Sequence, residues 1–225
     1  MSGPVKPKAQ KSQKSGKPAR RYDSSRRQEQ ARANRAAILE SARRRFLERG
    51  YGSTTVAEVA GDAGVSVETI YKAFANKAGL LKAVFDVSVA GDDDPVPMVE
   101  RDVIAQIVAE TDARRKLQRY AEHMVESMPR AAPVQLLARD AAAADPEAAA
   151  VWSQTRAELL AGMTLFAQDL VGTGSLRVPV DEARDILWTY VSPEIFELLV
   201  VERGWSVARY GAFLADGLVA ALVQP

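Results

Sequence analysis

The sequence predicts an all-α protein, with a small N-terminal three-helix unit of helix-turn-helix type joined to a larger helical bundle. Three observations carry this. Beyond the first 25 residues, apolar side chains recur at three- and four-residue spacing in every segment. Glycine and proline then stop the periodic runs at Gly50, Gly64, Gly91 to Pro95, Gly172 to Gly174 and Gly204. Finally, Val56 to Leu81 reads as two short helices around a tight glycine turn. At 225 residues and 47% hydrophobic composition, the chain has enough material for one small domain and one larger one.

Met1 to about Ser25 is Lys, Ser, Gln, Pro and Arg with almost no apolar residue, so it is expected to be a disordered basic arm (1–25). Lys6, Lys8, Lys11, Lys14, Lys17, Arg20 and Arg21 recur every two to three residues, a pattern suited to tracking phosphates or to solubility alone. From about Arg26, the stripe Ile38, Leu39, Ala42, Phe46 and Leu47 predicts a first helix ended by Gly50. Arg43, Arg44, Arg45 and Arg49 lie around its end, where cations suit the helix dipole.

Thr55 with Glu58 three residues later forms a capping box, so a second helix begins at Thr55 and buries Val56, Val59 and Ala60. A hydroxyl and free amides at that N-terminus make Thr54 and Thr55 a natural phosphate site. Gly64 supplies the left-handed turn and Ser66 the next cap. A third helix, Val67 to Phe74, then buries Ile70 and Phe74 and presents Val67, Glu68, Thr69, Tyr71 and Lys72 outward, where base edges and phosphates would lie. Asn76 caps a fourth helix, and Lys77 sits in its first turn, a position the dipole disfavours for a cation. Leu80, Leu81, Val84, Phe85 and Val89 make that helix the link to the body.

Arg35 to Asp86 resembles the DNA-binding domain of the TetR family of bacterial transcriptional regulators. The shared marks are Ile38, Phe46, Gly50-Tyr51, Thr54-Thr55, Ala63-Gly64-Val65-Ser66, Thr69 to Phe74, Asn76-Lys77 and Leu80-Leu81. Ala73 departs from the pattern, standing where many members carry His or Tyr. The resemblance implies a phosphate contact for Lys77. It completes an expected double-stranded-DNA-facing set of Thr54, Thr55, Ser66, Val67, Glu68, Thr69, Tyr71, Lys72 and Lys77 within a head spanning 26–90. A cytoplasmic bacterial protein, nucleoid-associated when on DNA, is also implied.

Charge distribution points the same way. Met1 to Ala90 carries 18 Lys and Arg against 8 Asp and Glu, and the remainder 12 against 21, so a net charge of +1 conceals a basic first part and an acidic second. The basic part attracts a polyanion through counterion release, and the acidic part is kept away from it.

Gly91-Asp92-Asp93-Asp94-Pro95 marks the boundary to a body spanning 91–225. Lacking the ligand spacing of a calcium loop, the triplet is read as a solvated helix end, and no metal is assigned. Val103, Ile107 and Val108 belong to one helix. Leu117, Tyr120, Ala121, Met124 and Met128 stripe the next, expected to end before Pro129, with a shorter piece from Pro133 to Ala144. Asp145-Pro146-Glu147 starts a long helix striped by Trp152, Thr155, Leu159, Met163, Phe166 and Leu170. From Asp181 to Val223 two more helices are expected on either side of Gly204, with Ser192-Pro193 kinking or restarting the first.

Ile195 to Val201 leaves little polar face, and Tyr210, Phe213, Leu214, Leu218 and Leu222 give another apolar stripe. These last two helices are read as a homodimer interface, as the resemblance also implies, or as intrachain core. A dimeric head on a helical body suggests regulation by a small-molecule effector bound between helices. The candidate lining residues are Tyr120, His123, Met124, Met128, Trp152, Arg156, Met163, Phe166 and Trp188. A repressor released from a palindromic operator is the expected function, and a nonspecific DNA-architectural protein using the basic arm is the alternative.

No enzyme is expected. With no cysteine, one histidine and no catalytic spacing, the chain offers no catalytic residues, and no cofactor is assigned. No apolar run reaches membrane-spanning length, so no membrane partner is expected either.

Overall fold

A computed structural model describes Gly3 and residues 19–224 of the chain, with side chains from Arg26 onward. The order is α1 (Ala19–Arg49), α2 (Val56–Ala63), α3 (Val67–Phe74), α4 (Lys77–Ala90), a 3-10 turn (Met98–Glu100), α5 (Asp102–Ala109), α6 (Ala113–Ala142), α7 (Pro146–Val171), α8 (Val180–Tyr190), α9 (Pro193–Phe196) and α10 (Val207–Leu222). Helix α9 runs on as a π-helical stretch, Glu197–Glu202. The described residues form no strand, only an isolated antiparallel bridge between Leu176 and Val223. The protein is all-α.

Helix α1 begins at Ala19, inside the segment expected to be a structureless arm. Pro18 precedes a run of 31 residues without Pro or Gly, rich in Ala, Arg, Gln and Glu, which are good helix formers. The rest of the expected arm, apart from Gly3, lies outside the described residues.

The head and body share one core. Ile38, Phe46, Val59, Ile70, Phe74, Leu80, Leu81 and Phe85 cluster with Val134, Ala138 and Ala141 of α6 and Ala148 of α7. Helix α4 packs on α1, α6 and α7 together, so it cannot move without repacking both parts.

One expectation about the body is revised, and one alternative left open is resolved. Helix α6 is continuous from Ala113 to Ala142 through Pro129 and Pro133, where a break was expected. Each proline removes one backbone bond, but Ala131, Ala132, Val134 and Ala138 are fully packed around them, and burial on this scale outweighs a missing bond. Arg130 also donates from Nη1 to the Glu126 carbonyl (2.7 Å) in the affected stretch. The Ser192-Pro193 alternative resolves as a restart: α8 ends at Tyr190, Ser192 caps α9 and Pro193 takes its first turn. Asp145 begins α7 as read, accepting the amides of Glu147 and Ala148.

Candidate nucleic-acid interface

The head is set by its caps. The Thr55 hydroxyl accepts the Glu58 amide, and the Glu58 carboxylate takes the Thr55 amide (2.9 Å) and hydroxyl (2.8 Å). These bonds, the backbone one first, hold the Glu58 carboxyl below its usual range, with Arg45 and Arg49 adding to the effect. Gly64 ends α2 in the left-handed region (φ 67°). Ser66 then caps α3 by accepting the Thr69 amide, and the two hydroxyls share a hydrogen bond of 2.9 Å.

Helix α3 is two-faced. Ile70 and Phe74 are buried, while Val67, Glu68, Tyr71 and Lys72 are exposed, Tyr71 by 49%; Thr69 is half-buried beside its Ser66 partner. This leaves the Tyr71 phenol and the Lys72 ammonium on the surface next to the capped N-terminus. Ala73, also exposed, adds no polar group to that face.

Lys77 lies with its Nζ 4.1 Å from the centre of the Tyr51 ring and 3.5 Å from the Gly52 carbonyl. The ring and carbonyl meet the cation where the dipole of α4 repels it. Burial lowers the Lys77 pKa, opposed by the charge of Asp145 at the start of α7. Burial also pushes the Tyr51 phenol up to about 12, with Asp145 and Glu147 contributing.

Thr54 leaves the expected phosphate-facing set. It is buried, and its hydroxyl donates inward to the carbonyls of Gly50 (3.0 Å) and Arg45 (3.2 Å), closing the end of α1. Three of the arginines around that end are structural too: Arg44 and Arg45 both reach Asp62 at 2.6 Å, and Arg49 lies 3.4 Å from Glu58.

Two backbone features join α3 to α4, and the sequence reading missed both. Ala75 has φ 65° and ψ −52°, and Asn76 donates its amide to the Phe74 carbonyl (2.8 Å), closing a γ-turn of the rare kind. A Cβ at Gly79 would overlap that same Phe74 carbonyl oxygen. A glycine in the first turn of an otherwise good helix was the available signal.

The expected effector-lining residues divide among several places. Tyr120, Met124, Met163 and Phe166 share one cluster, with Tyr120 Oη 3.4 Å from the Met163 sulfur and its ring 4.6 Å from that of Phe166. Met128 packs instead with Phe196 and Tyr210. Trp152 borders the head's core, and Arg156 lies between Trp152 (5.3 Å) and Trp188 (4.4 Å), so it meets two indole faces. His123 is buried, and burial first, then Arg130, lowers its pKa. Two surface hollows, of about 380 and 350 Å³, are lined by other residues, on α8 and between α6 and α10.

A capped two-helix unit presenting one polar face, carried on an all-helical body, defines a helix-turn-helix protein. Comparison with known proteins shows what it resembles. Residues 38–84 match the family model of bacterial regulatory proteins, tetR family. Over 58 residues the chain is 47% identical to the HTH-type transcriptional regulator TtgR of Pseudomonas putida, a match covering 26% of this chain and 28% of TtgR's length. Two solved structures share the whole fold. One is a protein of Saccharomonospora viridis, described as a transcriptional regulator and solved with choline (TM-score 0.64, 21% identity, 85% of this chain and 98% of that one). The other is the transcriptional regulator FadR of Bacillus subtilis, solved with stearoyl-CoA (TM-score 0.63, 19% identity, 83% and 98%). Residues 38–84 thus resemble the DNA-binding segment of the tetR family, and beyond them the likeness to solved structures is one of fold.

Proposed function

We propose that the protein is a sequence-specific DNA-binding regulator, a homodimeric repressor that leaves a palindromic operator when a small molecule binds its body. The observation that carries this is the two-faced α3: Ile70 and Phe74 lock it into the head while Val67, Glu68, Tyr71 and Lys72 are free to meet a major groove. Thr55, Ser66, Thr69 and Lys77 flank that face, and Lys77 is the backbone-contacting candidate, since the Thr55 amide and hydroxyl are both given to Glu58.

A homodimer is supported by apolar side chains left exposed on the last two helices, Leu198, Val201 and Phe213, with Val201 68% exposed. A dimer would present two α3 helices to successive major grooves about 34–36 Å apart, and an effector that favours another spacing would weaken binding. The choline and stearoyl-CoA complexes of the two structural relatives support a body that takes organic ligands. Tyr120, Met124, Met163 and Phe166 are the proposed first contacts. Among the described residues no helix is long and apolar enough to cross a membrane.

The test is selection of duplexes from a random DNA library at near-physiological salt, using the full chain and the chain without Met1–Ser25. A two-fold symmetric motif selected by both supports the regulator. Featureless selection that collapses without the arm would favour the architectural alternative.

A further inference from the structure

The triplet Asp92-Asp93-Asp94 is more than a solvated helix end. Both carboxylate oxygens of Asp93 are taken by Arg35 of α1, Nε to Oδ2 at 2.6 Å and Nη2 to Oδ1 at 3.0 Å. The guanidinium of Arg35 also lies 4.7 Å from the centre of the ring of Phe74, the last residue of α3. Both oxygens of Asp92 are taken by Arg101, at 2.7 and 2.8 Å, immediately before α5. Asp92 Oδ1 accepts the Asp94 amide (2.9 Å), and Arg101 reaches the Asp94 carbonyl (3.4 Å), which fixes the turn between the two forks. Behind them Gly91 is left-handed (φ 95°) and packs on Arg130 of α6, whose Nη2 donates to the Val89 carbonyl (3.4 Å).

We infer that Arg35, Asp93, Asp92 and Arg101 form a double clamp that sets the orientation of the recognition helix α3 relative to the body. Partly exposed ion pairs stabilise little, but a two-bond fork between guanidinium and carboxylate fixes direction as well as distance. Two forks on adjacent linker residues, one facing the head and one the body, give a short mechanical path from α5 through the linker to α1 and the end of α3. Arg35 and Asp93 are thus positioning residues for the DNA-reading face, and a shift of α5 reaches that face without passing through α4. This consequence for DNA rests on the function proposed above; the geometry does not.

The chain has no cysteine, so spin labels can be placed at Lys72→Cys on α3 and Gln168→Cys on α7 alone. Labelled chain is diluted into excess unlabelled chain, and the distance distribution and thermal melt are recorded for the parent, Asp92→Asn, Asp93→Asn, Arg35→Gln and the Arg35→Gln/Asp93→Asn pair. The expected result is one narrow distance in the parent and a wider or shifted one in each single variant. The pair should be no wider than Arg35→Gln alone, since Asp93→Asn removes only the fork that Arg35→Gln has already removed, and the melts should stay cooperative. DNA selected by the unlabelled natural sequence, with Lys72 intact, should be bound about fivefold more weakly by Asp93→Asn made in that same sequence. An unchanged distribution in the Asn variants would overturn the clamp. So would widening that adds across the pair, or widening that comes with loss of a cooperative melt. Because the distances need no DNA, a natural sequence that selects no motif would defeat the proposed function and leave the clamp standing.

Discussion

The ammonium of Lys77 sits 4.1 Å above the centre of the Tyr51 ring, with the Gly52 carbonyl 3.5 Å away. An ammonium has three donors, so one spent on Gly52 leaves two. The ring keeps the cation at the N-terminus of α4 despite the dipole, against the turn between α1 and α2. Lys77→Ala should weaken binding of a selected duplex and reduce the slope of log affinity against log salt by about 0.9, the loss of one phosphate contact. An unchanged slope would show that Lys77 only ties α4 to the α1–α2 turn.

The γ-turn at Ala75 and the bare Gly79 make opposite predictions about stability. A left-handed φ costs an alanine about 1–2 kcal/mol, and Ala75 has φ 65°. Ala75→Gly should therefore recover about 1 kcal/mol and raise the melting temperature by about 2–4 °C. Gly79→Ala forces a methyl against the Phe74 carbonyl, which is backbone and cannot swing away. It should cost about 1–3 kcal/mol and tilt α3 against α4. Melting curves of the two variants check both signs, and a stabilised Gly79→Ala would mean the α3–α4 junction is looser than its geometry.

What the sequence disclosed and what it hid divide by range. Caps are chemistry within three residues, so the Thr55/Glu58 box, Ser66, Asn76 and Asp145 are all legible and all formed. The buried stripe Ile38, Phe46, Val59, Ile70, Phe74, Leu80 and Leu81 follows from helical periodicity in the same way. Thr54 was misplaced because the inward turn of its hydroxyl depends on where α1 leaves its last carbonyls, which no local pattern states. The prolines of α6 are local breakers overruled by packing from other helices. The Arg35–Asp93 fork joins residues 58 apart, and Arg156 between two indoles depends on how α7 meets α8, so neither had a signature in the sequence.

Acid should loosen the head and linker through specific carboxylates. Hydrogen bonds from Arg45, then Arg44, hold Asp62 far below its usual value of 3.8, and Arg101 holds Asp92 at about 2. A depressed folded pKa means the unfolded chain binds more protons. The stabilisation is therefore fully present above about pH 4 and lost as pH falls toward 2. Asp62→Asn should be less stable than the parent at pH 7, with a smaller gap at about pH 3. Urea unfolding at the two pH values measures it, and a gap independent of pH would show that Asp62 contributes no charge-dependent stability.

Lys116 is buried at 2% exposure, donating to the Val108 carbonyl (3.1 Å) at the end of α5 and to the Asp169 carboxylate of α7. Its partner is not equally enclosed, since the Asp169 side chain is 28% exposed. Breaking a buried pair is costly because one charge is left without a partner, so the cost depends on which charge remains. Lys116→Met leaves a carboxylate that water can reach and fills the space with an apolar chain. Asp169→Leu leaves an ammonium deep between α5, α6 and α7 with a single carbonyl. Asp169→Leu should therefore be the worse of the two, by about 2 kcal/mol, and adding Lys116→Met to it should restore most of the loss. Denaturant unfolding of the two single variants and the pair decides it. Equal single losses, or a pair whose loss is the sum of both, would mean the ammonium finds water or another partner once Asp169 is gone.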